Sequence, residues 1–242
     1  MRPPAPYRLE TFDTSDMLAE TLADTIAGHL DKAVGSNRRA TLAVSGGTTP
    51  ARFFRQLSQR PLDWERVTVA LVDERLVPPT AARSNERLVR ETLLRDRAEQ
   101  ARFVGLWSGT ADLAAAAAAA DERLANCPLP LDAVVLGMGL DGHTASYFPD
   151  AENLDTLLDP AASARVLPVR APSAGEDRLT LSLPLVAGAR FLALHIEGEA
   201  KRIVFEQAMQ ADPASSAPIR AVFERATTPP TVYWAPSEDK KP

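Results

Sequence analysis

The sequence predicts an α/β fold, a single domain over residues 1–242 with a mainly parallel β-sheet and helices on both of its faces. Three observations support this prediction. Short apolar runs alternate with segments of helical period, which is typical of βαβ units. The runs are apolar throughout, as expected of strands buried on both faces. No shift in composition divides the 242 residues, and a chain of this length can bury a core of its own.

The first half of the chain supplies most of the strand–helix pairs. Residues 7–12 alternate as in an edge strand, and Thr14 and Ser15 open an amphipathic helix. The elements that follow are strand 40–44, a helix after Pro50, strand 67–72, helix 84–97 capped by Ser84 or Asn85, strand 103–107 and helix 111–126. The alanine run from Ala114 to Ala120 supports the last helix, because alanine is the strongest helix former.

The second half continues the alternation. The predicted elements are strand 131–137, strands 166–169 and 179–183, a short helix 183–189, strand 191–198, helices 199–210 and 218–225, and a final strand 231–236. These runs complete the expected sheet, and no internal repeat interrupts them.

Composition and charge exclude several classes of protein and site. One cysteine cannot form an internal disulfide, and one cysteine with three histidines argues against a zinc site built from those residues. The net charge of −5 gives no general attraction for nucleic acid. No apolar run is long enough for a signal peptide or a membrane-spanning helix. We therefore expect a cytoplasmic protein with no metal and no nucleic-acid or membrane partner. The sequence leaves the oligomeric state open and is compatible with a monomer.

Four turns of unusual polarity or glycine content follow predicted strands. They are SGGTTP (45–50), DER (73–75), GMGLDGHTAS (137–146) and EGEAKR (197–202). Ligands of open parallel sheets bind beyond the carboxyl ends of the strands. The four turns therefore mark the place where we expect a functional site.

The first of these turns has the composition of an anion-binding loop. Gly46 and Gly47 can adopt positive φ and leave backbone N–H groups unobstructed, while Thr48 and Thr49 add hydroxyls. The next helix points its N-terminus toward the ligand. The alternative is a tight strand–helix turn with an N-cap, and this turn by itself does not decide between the two.

Two cations lie where an anionic ligand would explain them. Arg75 ends the DER turn, and a guanidinium matches a phosphate with two hydrogen bonds. Lys201 falls in the first turn of a helix, where a cation opposes the helix dipole. The alternative for each cation is that it binds no ligand. Arg75 would then be one half of a surface salt bridge.

The glycine-rich turn 137–146 has two possible interpretations. Gly137, Gly139 and Gly142 match the GxGxxG pattern of dinucleotide-binding folds. We reject that function because His143 follows at once and Pro149 interrupts any helix within two turns. The glycines are better explained by close approach of the backbone to a small ligand.

Asp141 and His143 stand at the end of this turn. An ordinary histidine, with a pKa of about 6.5, suits proton transfer near neutral pH. The alternative is a hydrogen-bonded structural histidine. His29 in a helix, His195 inside a strand and Cys127 without a basic neighbour are assigned to structure.

Taken together, five segments resemble the 6-phosphogluconolactonase family. They are SGGTTP (45–50), VDERLVPPTAARSN (72–85), LGMGLDGHTASYFP (136–149), RLTLSLPL (178–185) and GEAKR (198–202), in the family's order. The resemblance implies a Rossmann-like fold of the sugar-phosphate isomerase and deaminase type, and no cofactor. In related deaminases a glutamate-bearing segment follows the histidine. Here Thr144, Ala145 and Ser146 follow it, which favours the lactonase.

The resemblance also implies a reaction and roles for individual residues. The substrate would be 6-phospho-D-glucono-1,5-lactone, a phosphosugar lactone opened by water in the oxidative branch of the pentose phosphate pathway. His143 would be the general base, Asp141 or Asp73 would orient its imidazole, and Arg178 would stabilise the oxyanion or bind sugar hydroxyls. The residues implied to bind the substrate and its phosphate are Ser45, Gly46, Gly47, Thr48, Arg75 and Lys201.

Two other functions stay open on the sequence. A sugar-phosphate deaminase or isomerase has the same fold, and ammonia release from glucosamine 6-phosphate would identify a deaminase. A non-catalytic sugar-phosphate sensor is the other alternative. Such sensors usually carry an added DNA-binding or partner domain, and this chain has no basic arm.

Overall fold

The computed structural model describes residues 6–36, 38–210 and 217–237. Its strands are β1 (Arg8–Thr11), β2 (Ala40–Val44), β3 (Val67–Leu71), β4 (Asp73–Arg75), β5 (Arg102–Val104), β6 (Ala133–Leu136), β7 (Val166–Val169), β8 (Arg178–Leu181), β9 (Leu192–Glu197) and β10 (Thr231–Ala235). Its helices are α1 (Ser15–Gly35), α2 (Ala51–Ser58), α3 (Asn85–Thr92), α4 (Leu113–Leu124), α5 (Leu154–Leu157), α6 (Leu183–Ala187), α7 (Glu199–Gln210) and α8 (Pro218–Arg225).

The main sheet is parallel and carries the core. Within the described residues it has seven strands in the order β1-β10-β9-β6-β2-β3-β5. Strands β2, β3 and β6 are buried along their whole length, as their continuous apolar composition requires. Helices flank the sheet. The predicted α/β fold with a mainly parallel sheet is therefore confirmed, and the first strand lies at its edge.

A second sheet holds part of the functional region. It is antiparallel, with β8 between β4 and β7. The sequence predicts β7 and β8 as strands, but its prediction of DER as a turn is wrong. These three residues are β4, because their backbone pairs with β8 after the chain leaves the main sheet.

Local sequence signals set the starts of two helices. Thr14 caps α1 by accepting a hydrogen bond from the N–H of Met17, and Ser84 caps α3 through the N–H of Arg87, both at 3.2 Å. Helix α3 ends at Thr92, short of the predicted residue 97, and Asp96 lies in the left-handed region with a φ of 51°.

The apolar residues of both sheets and the helices around them form one connected core. The prediction of a single domain over 1–242 stays a prediction, since part of that range lies outside the described residues. Across the residues described, no helix is both long enough and apolar enough to cross a membrane.

Candidate active site

A polar pocket of about 190 Å³ lies where four neighbouring strands of the main sheet end. Strands β9, β6, β2 and β3 are adjacent, and the segments that follow each of them contribute to the pocket wall. The lining residues are Ser45, Gly46, Gly47, Thr48, Thr49, Asp73, Arg75, Asn85, Gly137, Met138, Gly139, His143, Ala145, Arg178 and Lys201. The pocket therefore occupies the position that the strand ends predict.

The loop after β2 forms one wall. Ser45 continues the sheet by donating its N–H to the carbonyl of Val135 at 3.0 Å, and Gly47 has a φ of 99°. A Cβ atom at Gly46 would overlap the side chain of Asn85, so this position requires glycine. The loop leads directly into α2, whose N-terminus favours an anion nearby.

Two arginines face each other across the second sheet. Arg75 on β4 is the register partner of Arg178 on β8. Burial lowers the pKa of Arg178, the negative charge of Asp73 raises it, and the positive charge of Arg75 lowers it again. Like charges directly opposite each other destabilise a sheet. An anionic ligand in the pocket would relieve this repulsion.

Each arginine also keeps part of its hydrogen-bonding capacity unused. Arg75 donates through Nη1 to the carbonyl of Arg83, and Arg178 donates through Nη2 to the carbonyl of Ala174 at 3.1 Å. In the part of the chain that the structure describes, the buried Nε atoms of Arg75 and Arg178 have no hydrogen-bond partner. The guanidinium of Arg178 also lies 5.6 Å from the centre of the Phe148 ring.

The catalytic candidate His143 is held by Asp141. Imidazole Nδ1 lies 2.5 Å from Oδ1 of Asp141, and the ring packs against Phe148 with the ring centres 4.3 Å apart. A carboxylate at Nδ1 favours the tautomer that carries its proton there, which leaves Nε2 as the proton acceptor. A Cβ atom at Gly139 would overlap the imidazole, so this glycine makes room for His143.

Asp73, which the sequence left open as a partner of the His143 imidazole, is instead bonded to Ser146. Its carboxylate accepts a hydrogen bond from Oγ of Ser146 at 2.7 Å, and its carbonyl accepts one from Nδ2 of Asn85 at 2.8 Å. Of the two aspartates considered, Asp141 is the one bonded to His143. Asp73 instead links β4 to the loop that carries the histidine.

Glu74 fixes the start of α3 beneath the pocket. Its fully buried carboxylate accepts hydrogen bonds from the N–H groups of Arg75, Asn85 and Glu86, each at 2.8 Å, and from Oγ of Ser84 at 2.9 Å. Burial raises the pKa of Glu74 and these hydrogen bonds oppose the change. The arrangement positions Asn85 in the pocket wall.

Lys201 completes the set of cations. It lies in the first turn of α7 and lines the pocket. Burial lowers the pKa of Lys201 and the negative charge of Glu197 raises it. A partly buried ammonium at a helix N-terminus is unfavourable without an anion, which supports an anionic ligand.

Nine of the ten residues singled out in the sequence line this pocket, and the tenth, Asp141, is bonded to His143. Asn85, Met138 and Ala145 also line the pocket, although the sequence motifs did not assign them to the site. Asn85 ends the segment VDERLVPPTAARSN (72–85) and follows the cap of a predicted helix, which are the signals that could have found it. Ala145 has a φ of 52°, a strained backbone that no sequence signal reveals.

His29 and Cys127, which the sequence assigns to structure, do not line the pocket. His195, assigned in the same way, lines a small cavity next to it. His29 stacks on Phe191, with ring centres 4.1 Å apart, and Cys127 is buried, which raises the pKa of its thiol. Among the described residues, no group of three or more histidine, cysteine, aspartate or glutamate side chains could hold a metal ion.

Comparison with known proteins gives one consistent result. Residues 13–234 match the family described as glucosamine-6-phosphate isomerases/6-phosphogluconolactonase. The chain belongs to this family. A 6-phosphogluconolactonase from Mesorhizobium japonicum is 50% identical over 232 residues, covering 96% of this chain and 97% of the relative. One from Rhizobium meliloti is 49% identical over 228 residues, covering 94% and 98%.

A solved structure extends the relationship to the fold. The crystal structure of a 6-phosphogluconolactonase from Shewanella baltica is similar to this chain, with a TM-score of 0.91 and 42% identity. The match covers 95% of this chain and 97% of that one. The predictions of the family, of its fold type and of an enzyme of the 6-phosphogluconolactonase type are therefore confirmed.

Proposed function

We propose that the chain hydrolyses 6-phospho-D-glucono-1,5-lactone to 6-phospho-D-gluconate in the oxidative branch of the pentose phosphate pathway. One observation carries the proposal. The His143–Asp141 pair, which can accept a proton, shares one pocket with three cations, Arg75, Arg178 and Lys201. A phosphorylated ester requires both features, and the names of the relatives support this substrate.

The phosphate of the substrate binds at the loop after β2. Backbone N–H groups of Gly46, Gly47 and Thr48 and the N-terminus of α2 favour an anion there. Arg75 and Lys201 supply the opposite charge, and Ser45 holds the loop to the sheet. This arrangement explains a cationic pocket in a chain whose net charge is −5.

His143 starts the reaction as the general base. Its Nε2 takes a proton from water, and the water oxygen attacks the carbonyl carbon C1 of the lactone. Asp141 keeps the proton of the imidazole on Nδ1 and stabilises the charged ring that forms. Asp73 supports the same loop through Ser146.

Arg178 stabilises the negative oxygen that develops on C1. Arg178 lines the pocket, and its positive charge favours a negative oxygen there. The tetrahedral intermediate collapses as the bond between C1 and the ring oxygen breaks. His143 returns its proton to that oxygen, and the product is the open hydroxy acid. No metal enters these steps.

A coupled assay tests the proposal. Freshly prepared 6-phosphogluconolactone is supplied with NADP and 6-phosphogluconate dehydrogenase, and the formation of NADPH is compared with the spontaneous rate. We expect a rate well above that background and no ammonia from glucosamine 6-phosphate. Ammonia release without lactone opening would instead establish the deaminase. No turnover of either compound, with phosphosugar binding retained, would indicate a sensor.

A further inference from the structure

A second, much smaller cavity lies against the loop that follows β2. It is lined by Ser45, Gly46, Pro50, Val135, Leu136, Gly137 and His195. Its volume is about 10 Å³. That is at the lower limit for one water molecule, which also needs polar partners on the wall.

Two buried polar atoms belong to residues on this wall. Oγ of Ser45 and Nδ1 of His195 are both inaccessible to solvent, and neither has a hydrogen-bond partner among the described residues. An unsatisfied buried polar group costs about 1–3 kcal/mol. Two such groups on one water-sized cavity therefore point to a bridging water rather than to two independent losses.

The other nitrogen of the same imidazole is fully engaged. Nε2 of His195 lies 3.0 Å from Oε1 of Glu197, and the second oxygen of Glu197 accepts a hydrogen bond from Oγ of Ser15 at 2.8 Å. The ring also meets Phe53 of α2 edge-on, at 6.3 Å between centres. A carboxylate at Nε2 requires an N–H there, so neutral His195 presents Nδ1 to the cavity as an acceptor.

Glu197 connects this histidine to the substrate pocket. Burial opposes its ionisation, but the hydrogen bonds from His195 and Ser15 hold the pKa of Glu197 below its ordinary value. Glu197 ends β9 and Lys201 lies in the first turn of α7, and the resulting negative charge favours the charged form of Lys201. His195 thus lines the cavity at Ser45 with Nδ1 and contacts Glu197 with Nε2, and the charge of Glu197 acts on Lys201.

We propose that His195 is a positioning residue for phosphate binding, joined to Ser45 through one buried water at Nδ1 and to Lys201 through Glu197 at Nε2. The inference rests on the phosphate site of the proposed function. It assigns a role to a histidine whose place inside a strand had suggested structure alone.

Binding of inorganic phosphate, measured by calorimetry, tests the role without any need for turnover. His195→Leu removes both polar atoms at similar volume. We expect it to weaken phosphate binding about five- to tenfold, the effect of losing one or two hydrogen bonds. In the lactone assay KM should rise by a similar factor while kcat stays close to that of the wild type.

Two conservative variants separate the two nitrogens. His195→Asn places an amide near the Nδ1 position and loses the contact with Glu197. His195→Gln reaches the Nε2 position and loses the contact with the water. We expect each to recover part of the affinity lost in His195→Leu. His29→Gln is the matched control, because His29 lies outside the pocket against Phe191, and its phosphate affinity should equal that of the wild type.

A spectroscopic measurement on the wild type does not depend on how the variants fold. Imidazole ¹⁵N NMR should show His195 protonated at Nε2 and unprotonated at Nδ1, and a high-resolution crystal structure should show a water between Nδ1 and Ser45. The opposite tautomer or a dry cavity would overturn the bridge.

Two binding outcomes would overturn the positioning role. One is an unchanged phosphate affinity in His195→Leu, whether or not its melting temperature falls. The other is a wild-type chain that does not bind phosphate. A wild-type chain that binds phosphate without opening the lactone contradicts only the proposed function, and the role of His195 is then judged on binding alone.

Discussion

Asp141 and His143, two residues apart on one loop, form the pair proposed to transfer the proton. The side chains that act with them come from other segments, and each is held by its own contacts. Arg178 lies over the ring of Phe148, and Arg75 donates a hydrogen bond to the carbonyl of Arg83. The negative charge of Glu197 raises the pKa of Lys201. At this scale the proposal makes separate predictions for proton transfer and for phosphate binding.

Replacement of the base should affect turnover and leave binding intact. We expect His143→Gln to lower kcat about 10²- to 10⁴-fold, the usual contribution of a positioned general base. Phosphate affinity by calorimetry should be nearly unchanged, and His29→Gln is the control for loss of a histidine. Full activity in the variant would remove His143 from the reaction.

Loss of a cation that we propose to bind phosphate should raise KM more than it lowers kcat. Arg75→Ala is expected to raise KM about 10- to 100-fold with a smaller change in kcat, because a charge-assisted hydrogen bond contributes about 1.5–3 kcal/mol. Arg87→Ala, which removes an arginine paired with Glu91 on the surface of α3, is the matched control. An unchanged KM in Arg75→Ala contradicts the assignment.

Single elements of the fold bring these side chains together, and α3 is the clearest example. Its first turn is fixed by Glu74, and this places Asn85 against the backbone of Gly46. The loop after β2 and the N-terminus of α3 are therefore one packed unit, although about 40 residues separate them in the chain.

A methyl group added at Gly46, in the loop after β2, should collide with the side chain of Asn85 on α3. We expect Gly46→Ala to lower the free energy of unfolding by about 1–3 kcal/mol, the usual cost of overpacking, and to weaken phosphate binding. The further change Asn85→Ala should restore part of this stability, as measured in a double-mutant cycle. Gly28→Ala in α1, with open space around its Cβ position, should instead stabilise by about 0.5–1 kcal/mol.

The carboxylate beneath α3 should leave a signature in the pH dependence of stability. Because burial raises the pKa of Glu74, the native state binds this proton more tightly than the unfolded chain does. The contribution to stability is then complete below the ordinary glutamate pKa of 4.5 and declines as the pH rises through the native pKa. Denaturant unfolding of the wild type and Glu74→Gln over this range measures the difference.

As the pH increases above about 4.5, the unfolding free energy of the wild type should fall relative to that of Glu74→Gln. The exposed Glu91 on the same helix provides the control Glu91→Gln, which removes one carboxylate from the surface of α3. A difference that moves in favour of the wild type would show that hydrogen bonds, rather than burial, dominate the ionisation of Glu74.

At the scale of the whole molecule, the cationic pocket lies where the parallel sheet and the antiparallel sheet meet. The loops at 45–50 and 137–146 and the start of α7 follow adjacent strands of the parallel sheet. The antiparallel sheet supplies Asp73 and Arg75 on β4 and Arg178 on β8. A ligand held by all of these segments binds only the folded chain. Its binding free energy therefore adds to the stability of the molecule.

Inorganic phosphate should accordingly raise the melting temperature. At a concentration of about 100 times its Kd, the added stability is about 2.7 kcal/mol, or about 5–10 °C for a chain of this size. Differential scanning fluorimetry measures the shift, and Arg75→Ala should lose most of it. An equal shift in the wild type and in Arg75→Ala would place the bound phosphate elsewhere.

The sequence by itself determined the strands of the main sheet, the loops that follow them and most of the residues of the pocket. These features depend on local periodicity, turn composition and motifs, all of which are readable along the chain. Only the tertiary structure decided that DER is a strand opposite Arg178, that Asp141 and not Asp73 holds His143, and that Asn85 enters the pocket. The orphaned nitrogen of His195 likewise appears only after folding. Each of these depends on the pairing of segments far apart in sequence, which packing and strand register set and local patterns do not encode.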